Sequence, residues 1–204
     1  DQVLVDYLAD RLVQLGESVP GQISTFTLGS KGNPFKDSRL YNYRSYPEDL
    51  FVKPGEKAAN RAALAKWGAW VNAFGASEYG RPLFLVASAD LADSTNLSGF
   101  GAKRGDFPGY GWYKRFGKDE GVILPQEITE LANSGIMAGL ASVNLADDPE
   151  ADFCGYLGAC STYGAFSYLK YGPFRLFSQM AQDCQLKLGK IIWVAVSYTH
   201  LTLP

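Results

Sequence analysis

Apolar residues recur along the chain in two patterns, helical spacing and short continuous runs. Helical spacing predicts helices over residues 3–15, 56–74 and 166–186, and another that follows Pro125 and runs to about Val143. Continuous apolar runs predict buried strands over residues 83–88, 153–160 and 191–196. We expect Gly16 to end the first helix and Pro173 to bend the last one. Because strands alternate with helices, the pattern predicts an α/β fold with a parallel sheet.

Two long segments between these elements lack regular spacing. Residues 17–55 contain many turn-forming residues together with several tyrosines, which predicts an irregular arm packed on a neighbouring unit. Residues 91–124 form a long loop that contains glycine and aromatic residues. Loops of this length in compact domains are usually functional or disordered, and the aromatic content favours function. The chain has 204 residues, which is enough for one well-buried domain.

Charge and composition exclude several classes of function. A net charge of −2 gives no basic surface for nucleic acid or an anionic membrane, so we expect neither as a partner. No apolar run reaches the roughly 20 residues of a membrane span. The three cysteines lack CxxC spacing and are odd in number, which is typical of reduced thiols and predicts a cytoplasmic protein. The single histidine, His200, lies near the end of the chain, so we expect neither histidine-centred catalysis nor a metal site.

Polar residues that directly follow the first predicted strand are candidates for a binding site. Ser88 ends this strand, Asp90 comes just after it, and Ser94 and Thr95 follow. Ligands of parallel α/β sheets bind at the carboxyl ends of the strands, which predicts that Asp90 and residues 161–163 lie near any site. The alternative is a structural role in which Asp90 and Ser94 only cap a turn.

Glutamates in the helix predicted after Pro125 are the next candidates. Helical spacing puts Glu130 on one face with Asn133 and Ser134. Glu127 falls in the predicted first turn, where the helix dipole alone favours a carboxylate. Glu130 is expected to lie one residue too deep for that explanation, which leaves a solvated surface position or a special role.

Aromatic residues follow another predicted strand. Tyr163 and Phe166 belong to an aromatic segment over residues 161–168 that enters the next helix. Aromatic residues at this spacing belong to a core more often than to a ligand platform, so the pattern alone leaves both roles open.

Taken in order, these segments resemble the transketolase family. The family has a Ser-Ala-Asp-Leu segment and then a Ser-Asn-Leu segment; residues 88–91 read Ser-Ala-Asp-Leu and residues 94–97 read Ser-Thr-Asn-Leu. The family glutamate before a glycine-containing helix corresponds to Glu130, nine residues before Gly139. The family's Thr-Phe-x-x-Phe segment corresponds to residues 162–166. The resemblance covers about residues 57–195, but Thr129 and Leu131 replace the arginine and histidine that flank the family glutamate.

This resemblance implies a fold and a division of the chain. The fold is the thiamine-diphosphate-binding fold, a three-layer α/β/α sandwich with a mainly parallel sheet, preceded here by the irregular N-terminal arm. Residues 1–55 would be an N-terminal helix and inter-domain arm, and residues 56–195 a pyrimidine-binding domain. Residues 196–204 resemble a translated cloning sequence and are expected to be a non-native tail.

The resemblance also implies a cofactor and the residues that bind it. In the family, a glutamate at the position of Glu130 hydrogen-bonds the aminopyrimidine ring of thiamine diphosphate and activates the cofactor by proton exchange. Aromatic residues at the positions of Tyr163 and Phe166 hold that ring, and Asp90 is a further cofactor-binding position. The family's Mg²⁺- and diphosphate-binding motif does not occur in this sequence. We therefore expect both to be held mainly by another domain, and this chain to be inactive alone.

The substrates implied by the resemblance are sugar phosphates. The family transfers a two-carbon ketol unit from a ketose phosphate to an aldose phosphate, at a site formed between the subunits of a homodimer. Arg61 resembles a family arginine that meets the sugar phosphate. Either Ser94 or Thr95 matches a family serine that we assign to substrate binding.

Two other interpretations of the sequence stay open. The chain could be the pyrimidine-binding domain of another thiamine-diphosphate enzyme, such as a deoxyxylulose-phosphate synthase or the first component of a ketoacid dehydrogenase. It could also be a non-catalytic dimerisation domain, although the presence of Glu130 and of both aromatic residues counts against this.

Overall fold

The computed structural model describes residues 2–18, 31–114, 117, 120–125 and 128–197. In chain order, the helices and strands of these residues are α1 (Gln2–Ser18), α2 (Asn60–Tyr79), β1 (Phe84–Ser88), β2 (Ile123–Leu124), α3 (Glu130–Ser142), β3 (Leu157–Tyr163), α4 (Tyr171–Asp183) and β4 (Ile191–Val196). Short 3-10 helices lie between them, among them Leu97–Gly101 and Gly164–Lys170. None of the described helices is long and apolar enough to cross a membrane.

The strands form one parallel sheet in the order β2-β1-β3-β4. Val86 of β1 pairs with Ile123 of β2 on one side and with Ala159 of β3 on the other. Ala159 also pairs with Ile192 of β4. All three strand pairs are parallel, so each needs a long crossover connection. Helix α4 lies in the connection from β3 to β4, whereas the connection from β1 to β2 is a long loop that contains the 3-10 helix Leu97–Gly101. This arrangement confirms the predicted α/β fold.

Helices cover both faces of the sheet, because alternate residues of a strand point to opposite sides. One face carries Val86, which packs in a core with Trp70 of α2. The other face carries Ala87 and Cys160, which pack with Met137 of α3. Helix α4 packs beside α3. The layers are therefore α2, the sheet, and α3 with α4, as the predicted three-layer sandwich requires.

Helix α3 begins later than the sequence predicts. Its first residue is Glu130, because Thr129 has an extended φ of −145° and interrupts any helix that would start at Pro125. Residues 126 and 127 lie outside the described residues, so Glu127 cannot be placed. Glu130 is thus in the first turn of α3, and the expectation that it lies too deep for the helix dipole is wrong. Since the dipole favours a carboxylate there, its burial and contacts must decide its role.

The helix predicted over residues 166–186 is divided into two parts. Gly164–Lys170 forms a 3-10 helix, and α4 covers only Tyr171–Asp183. Pro173 is the third residue of α4, where a helix does not need the amide that proline lacks. It therefore lies in the first turn and does not bend the middle of a longer helix. Helix α1 similarly passes Gly16 and ends at Ser18.

The segment over residues 31–55 packs on elements of its own chain. It consists largely of 3-10 turns, and its Tyr46 ring lies 4.4 Å from the Trp70 ring of α2, measured between centroids. Asn33 Nδ2 donates to the carbonyl oxygen of Phe153 over 2.8 Å. These contacts attach the segment to α2 and to the residues that precede β3.

Candidate functional site

The carboxyl ends of β1 and β3 meet at one edge of the sheet. Ser88 of β1 pairs with Ser161 of β3, and the amide of Ala89 donates to the carbonyl oxygen of Ser161 over 3.0 Å. Asp90 is half-buried at this edge. Asp90 and residues 161–163 therefore lie close together, as the strand pattern predicts. We refer below to residues 88–95 and 161–163 as the carboxyl edge.

Buried hydroxyl groups connect the two strands at the carboxyl edge. Thr95 Oγ1 lies 2.9 Å from Ser161 Oγ, which donates to Ser88 Oγ over 2.8 Å. Ser88 Oγ donates in turn to the carbonyl oxygen of Asp90. Thr95, Ser161 and Ser88 are all buried. These hydroxyls fix the loop after β1, so Thr95 lies within the structure that supports the edge.

Ser94 and Tyr163 form a second connection, closer to solvent. Their hydroxyl groups hydrogen-bond to each other, and both side chains are half-buried. Phe166 follows on the 3-10 helix Gly164–Lys170, with 51% of the residue exposed. The structure thus brings Ser94 and Tyr163 together and leaves the Phe166 ring open to solvent.

The backbone directly after Asp90 adopts a conformation that leucine rarely has. Leu91 has a φ of +33°, and Asn96 has a φ of +61°. A leucine in this region is an outlier, because its Cβ crowds the backbone. The Leu91 side chain is exposed, so hydrophobic contacts of this side chain do not offset the cost of the strained backbone. Strained residues of this kind concentrate at functional sites, which favours a binding role for the loop over a simple turn.

Glu130 is the one acidic residue among those described that is buried, with 5% of its surface exposed. Its Oε1 accepts a hydrogen bond of 2.8 Å from Thr162 Oγ1, and Thr162 is fully buried in β3. Ser134 Oγ donates to the backbone carbonyl oxygen of Glu130 over 2.7 Å. Asn133 and Ser134 share the buried face of α3, as helical spacing predicts. The dipole explains a carboxylate at this position, but it does not explain why the carboxylate is buried and held by β3.

Lys170 belongs to the same region, and the sequence analysis did not identify it. It is fully buried, and its Nζ donates to Asn133 Oδ1 on α3. Burial lowers the pKa of Lys170, while Cys160 and Glu130 both act to raise it. Burial raises the pKa of the Cys160 thiol. The sequence signal that could have identified Lys170 is a single lysine among the aromatic and apolar residues 166–171. Lysine is rarely buried without a partner, so a lysine at such a position indicates a specific contact.

Arg61 lies on the other face of the sheet. It is half-buried in the first turn of α2. Together with Leu64 and residues 192–197, which cover most of β4 and the residue after it, it lines a cavity of about 750 Å³. The cavity includes Val196 and Ser197, so it reaches the carboxyl end of β4. Arg61 and Glu130 are thus both at the carboxyl ends of strands, but the sheet lies between them.

Glu130, Tyr163 and Phe166, in or beside the carboxyl edge, carry the kinds of group that one half of the implied cofactor needs. A flat, nitrogen-containing ring needs a fixed hydrogen-bonding group and aromatic surface. Thr162 holds the Glu130 carboxyl group, and the two aromatic residues follow Thr162 along the chain, Tyr163 at the end of β3 and Phe166 on the 3-10 helix. Because neighbouring residues of a strand point to opposite sides, the Tyr163 side chain leaves β3 on the side away from Thr162. No cluster of three or more His, Cys, Asp or Glu side chains that could hold a metal ion occurs in the part of the chain that is described.

Comparison of the chain with protein-family models, with curated proteins and with solved structures finds no match. The functional assignment therefore depends on the geometry of the carboxyl edge and on the sequence resemblance.

Proposed function

We propose that the chain supplies the pyrimidine-binding half of a thiamine diphosphate site in a transketolase-type enzyme. The reaction is the transfer of a two-carbon ketol unit from a ketose phosphate to an aldose phosphate. The observation that carries the proposal is the Glu130 carboxyl group, which is buried at the start of α3 and held by Thr162 of β3. A glutamate that only capped a helix would not need this partner from the sheet.

Residues in and beside the carboxyl edge have separate roles in this proposal. When bound, thiamine diphosphate supplies the carbanion-stabilising chemistry of ketol transfer. Glu130 hydrogen-bonds the pyrimidine ring and exchanges a proton with it, and the hydrogen bond from Thr162 to Oε1 fixes the orientation of the carboxyl group. Tyr163 and Phe166 contact the faces of the ring. Asp90 binds the cofactor from the strained loop after β1.

Substrate binding is assigned to residues around this edge. Ser94 is half-buried and bonded to Tyr163, so it can present a hydroxyl to a sugar beside the ring. Thr95 acts through the buried hydroxyls that position the same loop. Arg61 offers a guanidinium group to a sugar phosphate from the cavity beside β4, and guanidinium groups match phosphate geometry well.

The diphosphate and Mg²⁺ are assigned to another domain of the same enzyme, within a homodimer whose site lies between subunits. Gly135 and Gly139 of α3 support this assembly, because a Cβ placed on either would meet nothing within 4 Å apart from its chain neighbours and the backbone of its own helix. The exposed Leu131 and Ile136 lie on the same helix. A second copy of the chain could therefore approach this part of α3 closely. We also propose a cytoplasmic location, which the three free thiols favour.

Another thiamine-diphosphate enzyme is the second candidate. The residues that flank Glu130 favour it, since Thr129 and Leu131 stand where the family has arginine and histidine, and Leu131 is largely exposed. Donor and acceptor specificity distinguishes the two candidates.

The test is an assay of ketol transfer by the full-length protein, because the proposal assigns the diphosphate to a further domain. We expect transfer from a ketose phosphate to an aldose phosphate that requires both thiamine diphosphate and Mg²⁺. Cofactor binding without ketol transfer would move the chain to another thiamine-diphosphate family. Absence of any cofactor binding would leave a non-catalytic dimerisation domain.

A further inference from the structure

Arg81 is a charged side chain that the fold buries. It lies between the end of α2 and the start of β1, and only 3% of the residue is exposed. Burial lowers the pKa of Arg81, but the ordinary pKa of arginine is so high that the guanidinium keeps its charge near pH 7. Moving such a charge out of water is unfavourable unless hydrogen bonds and an opposite charge compensate it. The groups around Arg81 therefore indicate what the side chain binds.

Two aromatic rings compensate part of this cost. The guanidinium carbon of Arg81 lies 5.1 Å from the centre of the Tyr156 ring and 5.8 Å from the centre of the Phe35 ring. Cation–π contacts at these distances are favourable, but they provide no oxygen to accept from the N–H groups. Nη1 donates to the carbonyl oxygen of Pro82 over 3.4 Å, which is a long hydrogen bond. Nε and Nη2 are buried and have no hydrogen-bond partner among the described residues.

The charge of Arg81 also lacks a carboxylate partner within the part of the chain that the structure describes. The ion pairs found there involve other arginines and lysines. Asp152, four residues before Tyr156, is paired with Lys36 over 2.5 Å. The titratable side chains that act on Arg81 are Cys154 and Tyr156, and neither is a carboxylate. Burial raises the pKa of Tyr156, so its hydroxyl is neutral near pH 7.

The two N–H groups without a partner lie on one edge of the guanidinium. Nε and Nη2 form a fork that matches two oxygens of a carboxylate or of a phosphate group. Arg39 of this chain uses the same edge, since its Nε and Nη2 donate to the two oxygens of the Asp37 carboxylate over 3.1 and 2.7 Å. The corresponding edge of Arg81 is buried and therefore suited to a ligand with the same two-oxygen geometry.

We propose that the Nε and Nη2 edge of Arg81 binds a small oxyanion, a carboxylate or a phosphate group, at the amino ends of β1 and β3. Arg81 lies three residues before β1, and Tyr156 directly precedes β3. These are the ends of the strands opposite the carboxyl edge, so the site does not depend on the proposed function. Phe35 and Tyr156 are half-buried, which places the guanidinium one layer of side chains below the surface. Since Phe35 belongs to the segment over residues 31–55, a bound oxyanion stabilises the contact of that segment with the sheet.

Binding is tested by NMR of the arginine Nε–H groups in the 204-residue chain. Inorganic phosphate and acetate are titrated separately at constant ionic strength, and the Arg81 signal is identified by its absence in Arg81→Lys. We expect the Arg81 signal to shift and saturate with at least one of them, and the anion that saturates at the lower concentration identifies the class of ligand. Arg175, exposed on α4, is the internal control and should show no saturation. No saturable shift of Arg81 with either anion, or an equal shift of Arg175, would overturn the site.

Thermal unfolding with Arg81→Met provides a second test, because methionine removes the charge and the N–H groups. The anion that saturates the Arg81 signal, phosphate or acetate, should raise the Tm of wild type by roughly 5 °C more than that of Arg81→Met, since a ligand that binds only the folded state stabilises it. Arg175→Met should respond like wild type and so controls for the general effect of salts on protein surfaces. Equal rises of Tm in all three proteins would contradict the site. If Arg81→Met does not fold, the NMR titration of wild type decides.

Discussion

At the scale of single residues, buried polar side chains connect parts of the fold that hydrophobic contacts only bring near each other. Asn72 of α2 is fully buried and binds the backbone of two other elements. Its Oδ1 accepts from the amides of Leu83 and Phe84 over 3.0 and 2.8 Å. Its Nδ2 donates to the carbonyl oxygens of Phe84 and Phe100. One side chain thus satisfies four backbone groups at the start of β1 and in the 3-10 helix Leu97–Gly101.

Replacement of Asn72 should therefore strongly destabilise the fold. Leucine has nearly the same size but leaves buried amides and carbonyls without partners, so Asn72→Leu should lower the free energy of unfolding by at least about 3 kcal/mol. Urea unfolding measures this difference. Asn60→Leu, at the exposed first residue of α2, should change stability by less than about 0.5 kcal/mol. Equal effects of the two substitutions would show that the hydrogen bonds of Asn72 are dispensable.

Residue spacing predicts part of the candidate site and omits the rest for a physical reason. Helical spacing places Glu130 with Asn133 and Ser134, since contacts within one helix depend on local sequence alone. The hydrogen bond between Glu130 and Thr162 depends on how α3 crosses β3. The burial of Lys170 near them depends on a 3-10 helix, in a segment that was expected to be part of an α-helix. Contacts between distant segments follow from tertiary packing, which no local pattern records.

At the scale of elements, Asp37 attaches the segment over residues 31–55 to the end of α2. The Asp37 carboxylate accepts hydrogen bonds from Arg39 Nη2 over 2.7 Å and from the Tyr79 hydroxyl over 2.8 Å. Arg39 also donates to Glu78 over 2.9 Å, and its guanidinium lies 4.7 Å from the centre of the Phe74 ring. The hydrogen bond from Arg39 holds the pKa of Asp37 well below its usual range.

The pH dependence of stability should reveal this attachment. Because the pKa of Asp37 is lowered in the folded state, its contribution is complete above its ordinary value of about 4 and is lost as the pH falls towards the folded value. Asp37→Asn should cost about 2 kcal/mol at pH 7, and the difference from wild type should shrink below about pH 4. Thermal or urea unfolding from pH 7 to pH 2 measures it. Asp106→Asn, at an exposed loop position, should show no such trend. A cost for Asp37→Asn that does not vary with pH would contradict the role of the charge.

The sequence patterns predict which helices and strands exist better than they predict the residues at which these elements begin and end. Each predicted strand has a counterpart in the sheet, because continuous apolar runs mark strands that are covered on both faces. The two-residue strand β2 was included in a predicted loop, since two residues are too few to show a pattern. Helix α2 begins at Asn60, four residues after the predicted start, and β3 begins at Leu157, four residues after its predicted start. Ends depend on backbone conformations such as that of Thr129, which composition does not specify.

At the scale of the whole molecule, the sheet divides the proposed site into two sides. Glu130 and Lys170 lie on the face covered by α3, and Arg61 lies on the face covered by α2, while the carboxyl ends of the strands join the two. A ligand that uses both sides must therefore lie across the carboxyl edge. In the proposed enzyme, another domain or subunit would bind the outer side of this ligand.

The most direct test of this account is the activity of Glu130→Ala in the full-length protein. Thiamine-diphosphate-dependent ketol transfer should fall by about 10²–10⁴-fold, the usual scale for the loss of a general acid–base group, while Glu150→Ala stays close to wild type. Cofactor affinity should be measured on both variants. A loss of less than about threefold at normal cofactor affinity would be too small for a general acid–base group and would contradict the central role of Glu130.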